Sequence, residues 1–176
     1  MKKLKYYPVT NYNKFPQKYY FLSIIKEIIK IANLINTQKK ILDFGCGNKI
    51  FSNILLNKKI INYDINPFYS EIKDYRNKRF DIVIFNHVLM YLKPKEIKKT
   101  LEKIKKLNPK SEIVVSLSRQ NILSKLAMII TLNFKAHEKT HSTYEEQIEQ
   151  INNIAKIKNK KLGIFGITDI FFLKFK

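Results

Sequence analysis

The chain is poor in cysteine, glycine and arginine, and each shortage excludes something. The single cysteine, Cys46, has no partner for an internal disulfide, and no paired Cys/His spacing suggests a structural metal. A reducing, cytoplasmic setting without a bound metal is therefore expected. No run approaches the roughly eighteen apolar residues that a membrane span needs. The N-terminal MKKLKYYPVTNYNKFPQ has no apolar segment behind its lysines, so no signal peptide is expected either. Arginine occurs at Arg76, Arg79 and Arg119, and lysine supplies the rest of the 34 basic residues. Against 14 acidic residues this leaves a formal charge of +20. Recognition of base edges and phosphates favours arginine's planar fork. The wealth of Ile, Asn, Tyr and Phe is what an AT-rich genome produces, and such a genome swaps arginine for lysine on solvated surfaces. The lysine excess is thus read first as solvated surface. An anionic membrane surface is the second reading, and nucleic acid is not favoured.

A length of 176 residues fits one domain with a sizeable core. No internal repeat or low-complexity linker divides it, so one domain over residues 1–176 is expected. KYYFLSIIKEIIKIANLI, from Lys18 to Ile35, carries Phe21, Ile24, Ile25, Ile28, Ile29 and Leu34 at helical spacing, within an N-terminal helical cap of residues 1–36. KKILDFG, KIINYD, FDIVIFN and SEIVVSLS read as strands, with KIFSNILLN a helix after the first. KPKEIKKTLEKIKKLNP is a helix opening near Pro94, buried through Ile97, Leu101, Ile104 and Leu107, and stopped by Asn108–Pro109. Near-continuous Ile/Val strands alternating with amphipathic helices imply a parallel sheet covered on both faces. In KLGIFGITDIFFLKFK two apolar runs separated by Gly166 and Thr168 leave no room for a helix, so these strands must be antiparallel. The fold class is α/β: a Rossmann-like, doubly wound, mostly parallel sheet ending in an antiparallel hairpin.

The chemistry centres on ILDFGCGNKI, Ile41 to Ile50, a strand entering a glycine turn that opens a helix. The turn's N–H groups and the helix's positive end suit a negatively polarised ligand. A dinucleotide fingerprint needs a third glycine where Ile50 stands, which counts against NAD or FAD, and the P-loop spacing also fails. What remains is Asp43, two places before the first glycine. It can tether a cationic ligand or brace the turn by accepting backbone N–H bonds. Asp64 ends NYD about 20 residues beyond Gly45, the interval at which an acidic residue reaches ribose hydroxyls in such folds.

ILDFGCGNKIFS, NYDINP and FDIVIFNHVLMYL together resemble the class I S-adenosylmethionine-dependent methyltransferases, especially the small-molecule group called type 11/12. The resemblance covers about residues 37–118, and the C-terminal hairpin fits that family's seven-stranded order. It implies S-adenosyl-L-methionine as cofactor. Asp43, Gly45 and Gly47, with Cys46 between the glycines, would shape the pocket for the methionine part. Asp64 would bind the ribose, with Ile65 beside it, and Asn86 and His87 of FNHV would line the adenosine and the reaction site. Two departures stand out. Lys49 occupies a place where the family usually has another glycine, and a lysine does not easily take a positive φ. The stretch between Asp64 and Asp81 is too short for the family's helix, strand and helix, so the sheet is expected to be shortened there. A short strand is expected around SEIKDY, with Asp74 facing the adenine amine.

Residues 119–150 resemble the family's variable substrate-side insert. Its apolar Ile122–Phe134 is either a core helix or a lid or membrane-contacting surface. HSTYEEQ reads as a capped helix start, with Ser142 or Thr143 as N-cap and Glu145 or Glu146 near the third position. A neutral imidazole can take a proton from an acceptor hydroxyl, which makes His87 and His141 the candidate catalytic bases, ahead of His137. The expected activity is methylation of a small or lipid-linked acceptor. A non-catalytic S-adenosylmethionine-binding scaffold and an RNA methyltransferase are the alternatives.

Overall fold

The computed structural model describes residues 17–56, 59–119, 140–163 and 166–176. Its elements are helix α1 (Gln17–Ile31), strand β1 (Ile41–Phe44), helix α2 (Ile50–Ile54), strands β2 (Ile60–Tyr63) and β3 (Ile82–Asn86), and a 3-10 turn (Leu89–Tyr91). Helix α3 (Pro94–Leu107), strand β4 (Glu112–Ser118), helix α4 (Tyr144–Ile154), and strands β5 (Ala155–Leu162) and β6 (Thr168–Phe175) follow. The strands form one sheet in the order β2-β1-β3-β4-β6-β5. Strands β1 to β4 run parallel, while β6 lies antiparallel between β4 and β5.

Side-chain alternation explains why helices cover both faces. Leu42, Phe44, Val83, Phe85, Ile113, Val115 and Leu117 share one core with Ile97, Leu101 and Ile104 of α3 and Ile151 and Ile154 of α4. The residues between them, Ile41, Ile82, Ile84 and Val114, share the other core with Ile24, Ile25, Ile28 and Ile29 of α1 and Phe51 of α2. Each such side chain taken from water contributes about 1.5–3 kcal/mol, so a continuous apolar strand is stable only when both its faces are covered. Asp43 interrupts this pattern on the α2 side, beside Asn62 of β2 and Ile84 of β3.

Helix boundaries follow local chemistry. Pro94 occupies the first turn of α3, and the Lys93 N–H donates to Glu96 Oε2 at 2.8 Å, closing that end. At the other end Asn108 caps the helix, and its side-chain oxygen accepts the Phe80 N–H at 2.8 Å. Leu107, placed in the buried stripe by spacing, is 39% exposed because the helix ends there. For α4 the cap is Thr143, whose Oγ1 accepts the Glu146 N–H, while Glu146 Oε2 accepts the Thr143 N–H. Residues 144–150 of the stretch read as insert are thus the first turns of α4. Residues 120–139, with Ile122–Phe134 and His137, lie outside the described residues.

Two expectations about strands are corrected. No strand forms around SEIKDY. Glu71 instead covers the outer edge of β2: its N–H donates to the Asn62 carbonyl at 2.9 Å, and its carboxylate accepts the Asn62 N–H and Nδ2 at 3.2 and 2.8 Å. One side chain thereby satisfies the edge groups that a neighbouring strand would have paired. Asp74 is held by Arg76, whose Nε donates to both carboxylate oxygens at 2.7 Å. The first strand of the hairpin begins upstream of the apolar run before Gly166, and residues 164 and 165 of that run lie outside the described residues. This strand is the lysine-rich AKIKNKKL of β5, exposed at every position but Ala155. An outermost strand needs only one hydrogen-bonded neighbour, and lysine is tolerated there.

Candidate active site

Parallel strands bring their C-terminal ends to one edge, and the chain leaves β1 for β2 on one side and returns to β3 on the other. The crevice at that reversal is where α/β sheets bind ligands. The turn after β1 places Gly45 at φ 74°, Gly47 at 46° and Lys49 at 54°, all left-handed. A Cβ on Gly45 would lie 2.3 Å from Val88 Cγ2, so this glycine lets the β1 and β3 ends approach each other.

The amides of the turn are already committed. Gly45 and Cys46 both donate to the Tyr63 carbonyl, at 2.7 and 3.1 Å, and Gly47 donates to Asp64 Oδ2 at 3.0 Å. The turn is therefore not the anion cradle that its glycines suggest, and α2 behind it has only five residues. Bracing falls to Asp64, whose Oδ1 also accepts the Asn66 N–H at 2.9 Å. Lys49 adopts the left-handed conformation that its side chain disfavours, and its ammonium lies 3.3 Å from Glu71.

The edge is acidic. Asp43 is 2% exposed, and its Oδ2 has no hydrogen-bond partner. Burial, reinforced by the charges of Asp64 and Glu71, pushes its carboxyl up to about 7. Burial works in the same direction on Glu71, but hydrogen bonds from Asn62 and Lys49 hold that carboxyl below its usual range. The Cys46 thiol is buried, donates to the Tyr69 carbonyl at 3.5 Å, and is pushed up by burial and by Asp43 and Asp64. It is a protonated packing group rather than a nucleophile. Ile65, next to Asp64, is 74% exposed at the rim.

His87 follows β3 at φ 52°, unusual for a residue other than glycine. Its N–H is held by the Ser116 carbonyl at 3.2 Å and Ser116 Oγ at 3.0 Å, and its ring stands edge-on to Phe21 of α1, 6.0 Å between centroids. Ser116 Oγ donates in turn to Asn86 Oδ1 at 2.7 Å, fixing the amide. The structure thus brings Asp43, Gly45, Cys46, Gly47 and Asp64 together, and joins Asn86 and His87 to them through Val88. His141 is placed elsewhere: exposed, with its N–H on the Met90 carbonyl at 2.7 Å, it lines a shallow cavity of about 430 Å³ with Lys93, Pro94, Lys95 and Glu96. Glu71, Ser116 and the α1 aromatics were missed by the sequence reading. Only Ser116 carried a signal, a polar residue inside an apolar strand and directly opposite Asn86.

A family model described as a methyltransferase domain matches residues 17–156. The chain belongs to this methyltransferase family. The class I, S-adenosylmethionine-dependent enzyme implied by the sequence motifs is thereby borne out. No curated protein matches the chain. Solved structures share the methyltransferase's fold at low identity. The PH0226 protein of Pyrococcus horikoshii OT3 is 15% identical, with TM-score 0.68, over 95% of this chain and 94% of that one. Magnesium protoporphyrin IX methyltransferase of Synechocystis PCC 6803, crystallised with S-adenosylhomocysteine, is 14% identical, with TM-score 0.64, over 93% and 88%. A TehB-like methyltransferase of Corynebacterium glutamicum is 13% identical, with TM-score 0.60, over 85% and 87%.

Proposed function

We propose that the edge formed by Asp43, Gly45, Cys46, Gly47, Asp64, Ile65, Asn86 and His87 holds S-adenosylmethionine, and that the methyltransferase acts on a small or lipid-linked acceptor. The observation that carries this reading is the buried Asp43 carboxylate with an unpartnered oxygen, next to two further carboxylates. A cation is the group such a site lacks, and the cofactor carries an ammonium and a sulfonium. Each oxygen of Asp64 accepts one backbone N–H, which leaves a lone pair on each for a vicinal diol. Exposed Ile65 offers an apolar surface to a purine ring.

When bound, the cofactor supplies an electrophilic methyl group, so the chain has to orient the acceptor and manage its proton. Ser116 fixes Asn86 and the His87 backbone together, and Phe21 limits the ring of His87. A neutral His87 imidazole at this rim would accept the proton of an acceptor hydroxyl. His141, at the start of α3, is the weaker candidate for that role. The aromatic and apolar surroundings, Tyr20, Phe21 and Val88, suit a small or lipid-linked acceptor. The single cysteine, with no partner for an internal disulfide, supports a cytoplasmic location.

Calorimetry on Asp64→Ala tests the assignment. Loss of charge-assisted hydrogen bonds should weaken cofactor binding by about 1.5–3 kcal/mol. A folded variant with unchanged affinity would overturn it.

A further inference from the structure

The N-terminal edge of the same sheet carries a second feature. A cavity of about 340 Å³ is lined by Lys40, Lys59, Ile60, Ile61, Lys78 and Arg79. The fold sets these residues side by side. Lys40 and Lys59 immediately precede β1 and β2, whose first residues Ile41 and Ile60 are in register, and the Ile41 N–H donates to the Lys59 carbonyl at 2.9 Å. Lys78 and Arg79 sit on a short loop pinned at both ends by buried Tyr75 and Phe80. The loop is tied further by the Lys78 N–H to the Tyr75 carbonyl and the Phe80 N–H to Asn108.

Among the described residues none of these four cations forms an ion pair, although carboxylates at this edge are used by others. Glu112 takes Lys39 at 2.7 Å and Lys174 at 3.7 Å, and Asp81 accepts the backbone N–H of Lys40. The arginines are more telling. Arg76 holds Asp74 and Arg119 holds Asp169, each through paired donors. Arg79 alone of the three has no carboxylate among the described residues. Arg79 lines a cavity that three lysines, Lys40, Lys59 and Lys78, also line.

We propose that this cavity is a binding site for a compact, multiply charged phosphate ligand of the di- or triphosphate type, separate from the cofactor edge. The guanidinium would take two oxygens of one phosphate, the lysines would act as point charges on its neighbours, and Ile60 and Ile61 would form an apolar wall. The volume lies in the small-ligand range of about 300–1,000 Å³. Four cationic residues lining one cavity suit a short phosphate chain better than the extended track of a nucleic-acid backbone.

Inorganic tripolyphosphate titrated into the full chain by calorimetry at about 0.1 M salt provides the test. One site is expected, with affinity falling at least about tenfold in Arg79→Glu and in Lys59→Glu, and falling less in Arg79→Lys, which keeps the charge but not the fork. Lys99→Glu on the exposed face of α3 should bind like the parent, and S-adenosylmethionine affinity should be unchanged in all four variants. Absence of binding would overturn the site, as would an equal loss in Lys99→Glu, which would reduce the effect to general attraction by a +20 chain. A short single-stranded RNA that binds more tightly than tripolyphosphate and is lost in the same variants would also overturn it, in favour of a nucleic-acid surface.

Discussion

The two edges of the parallel sheet carry opposite charge in very different surroundings. At the C-terminal edge Asp43, Asp64 and Glu71 gather, and one of them is sealed from water. At the N-terminal edge Lys40, Lys59, Lys78 and Arg79 gather, all of them exposed. A cluster of like charges that stays solvated is screened over about 10 Å and costs the fold little. A buried charge cannot be screened, so it shifts its proton equilibrium or waits for a partner. The chain's overall charge of +20 therefore says nothing about its C-terminal edge, where the minority sign gathers. On the function proposed above, the cationic cofactor would go to the edge where these three scarce carboxylates are gathered.

The largest effect should come from breaking the acidic edge at its hinge. Gly45→Val forces a β-branched residue to φ 74° and sets its Cβ against Val88, whose own side chain stands between the β1 and β3 ends. Backbone strain and overpacking together should cost about 2–6 kcal/mol. Urea denaturation of the cofactor-free protein measures this. A loss under about 1 kcal/mol would show that the strand ends do not depend on that approach.

Next comes the proton on Asp43. An unfolded aspartate titrates near 4, whereas the folded one is raised to about 7, so between these values the folded state binds the extra proton. Stability of the cofactor-free protein should fall through this window as pH rises, because the folded state must finally hold an unpaired buried anion. Asp43→Asn removes that liability. It should match the parent near pH 4 and exceed it at pH 8 by on the order of 2–4 kcal/mol, while binding the cationic cofactor more weakly. In the parent, cofactor binding should favour the carboxylate and release protons below pH 7, visible by calorimetry in buffers of different ionisation heat. A stability curve for Asp43→Asn that parallels the parent's would place the titrating group elsewhere.

How far the sequence could be read follows the same contrast between local and long-range causes. Helix α3 was legible because its signals lie within a few residues: Pro94, the buried Ile97, Leu101 and Ile104, and the Asn108 stop. Asp43, Gly45, Gly47 and Asp64 were legible as a motif, and they do converge. What each amide of the turn does was not legible, because Tyr63 and Asp64 claim those donors across the β1–β2 pairing. Glu71 was hidden for the same reason, since it replaces a missing strand through bonds to Asn62 nine residues earlier. Strand β5 was hidden because its lysines deny it the apolar signal on which strand reading depends. His141 was grouped with His87 by residue type and by its place in HSTYEEQ, a stretch that often sits beside the substrate in the resembled family, whereas the Met90 carbonyl draws it toward the start of α3.

The smallest effect should come from Lys49, where two opposing terms nearly cancel. A side chain at φ 54°, ψ 39° costs about 1–2 kcal/mol relative to a right-handed residue. Glycine would relieve that cost but would give back about 0.5–1 kcal/mol through the freedom it adds to the unfolded chain. The 3.3 Å pair with Glu71 is partly exposed on both sides and is worth about 0–1 kcal/mol. Lys49→Gly should therefore change stability by less than about 1 kcal/mol, with gain favoured at high salt, where the ion pair is screened and the backbone strain is not. Urea midpoints at low and high salt separate the two terms. If the variant loses more than about 1 kcal/mol at low salt and recovers it at high salt, the Glu71 pair rather than the backbone governs this position. Among the described residues, the acidic edge would then rely on Lys49 as a built-in counter-charge.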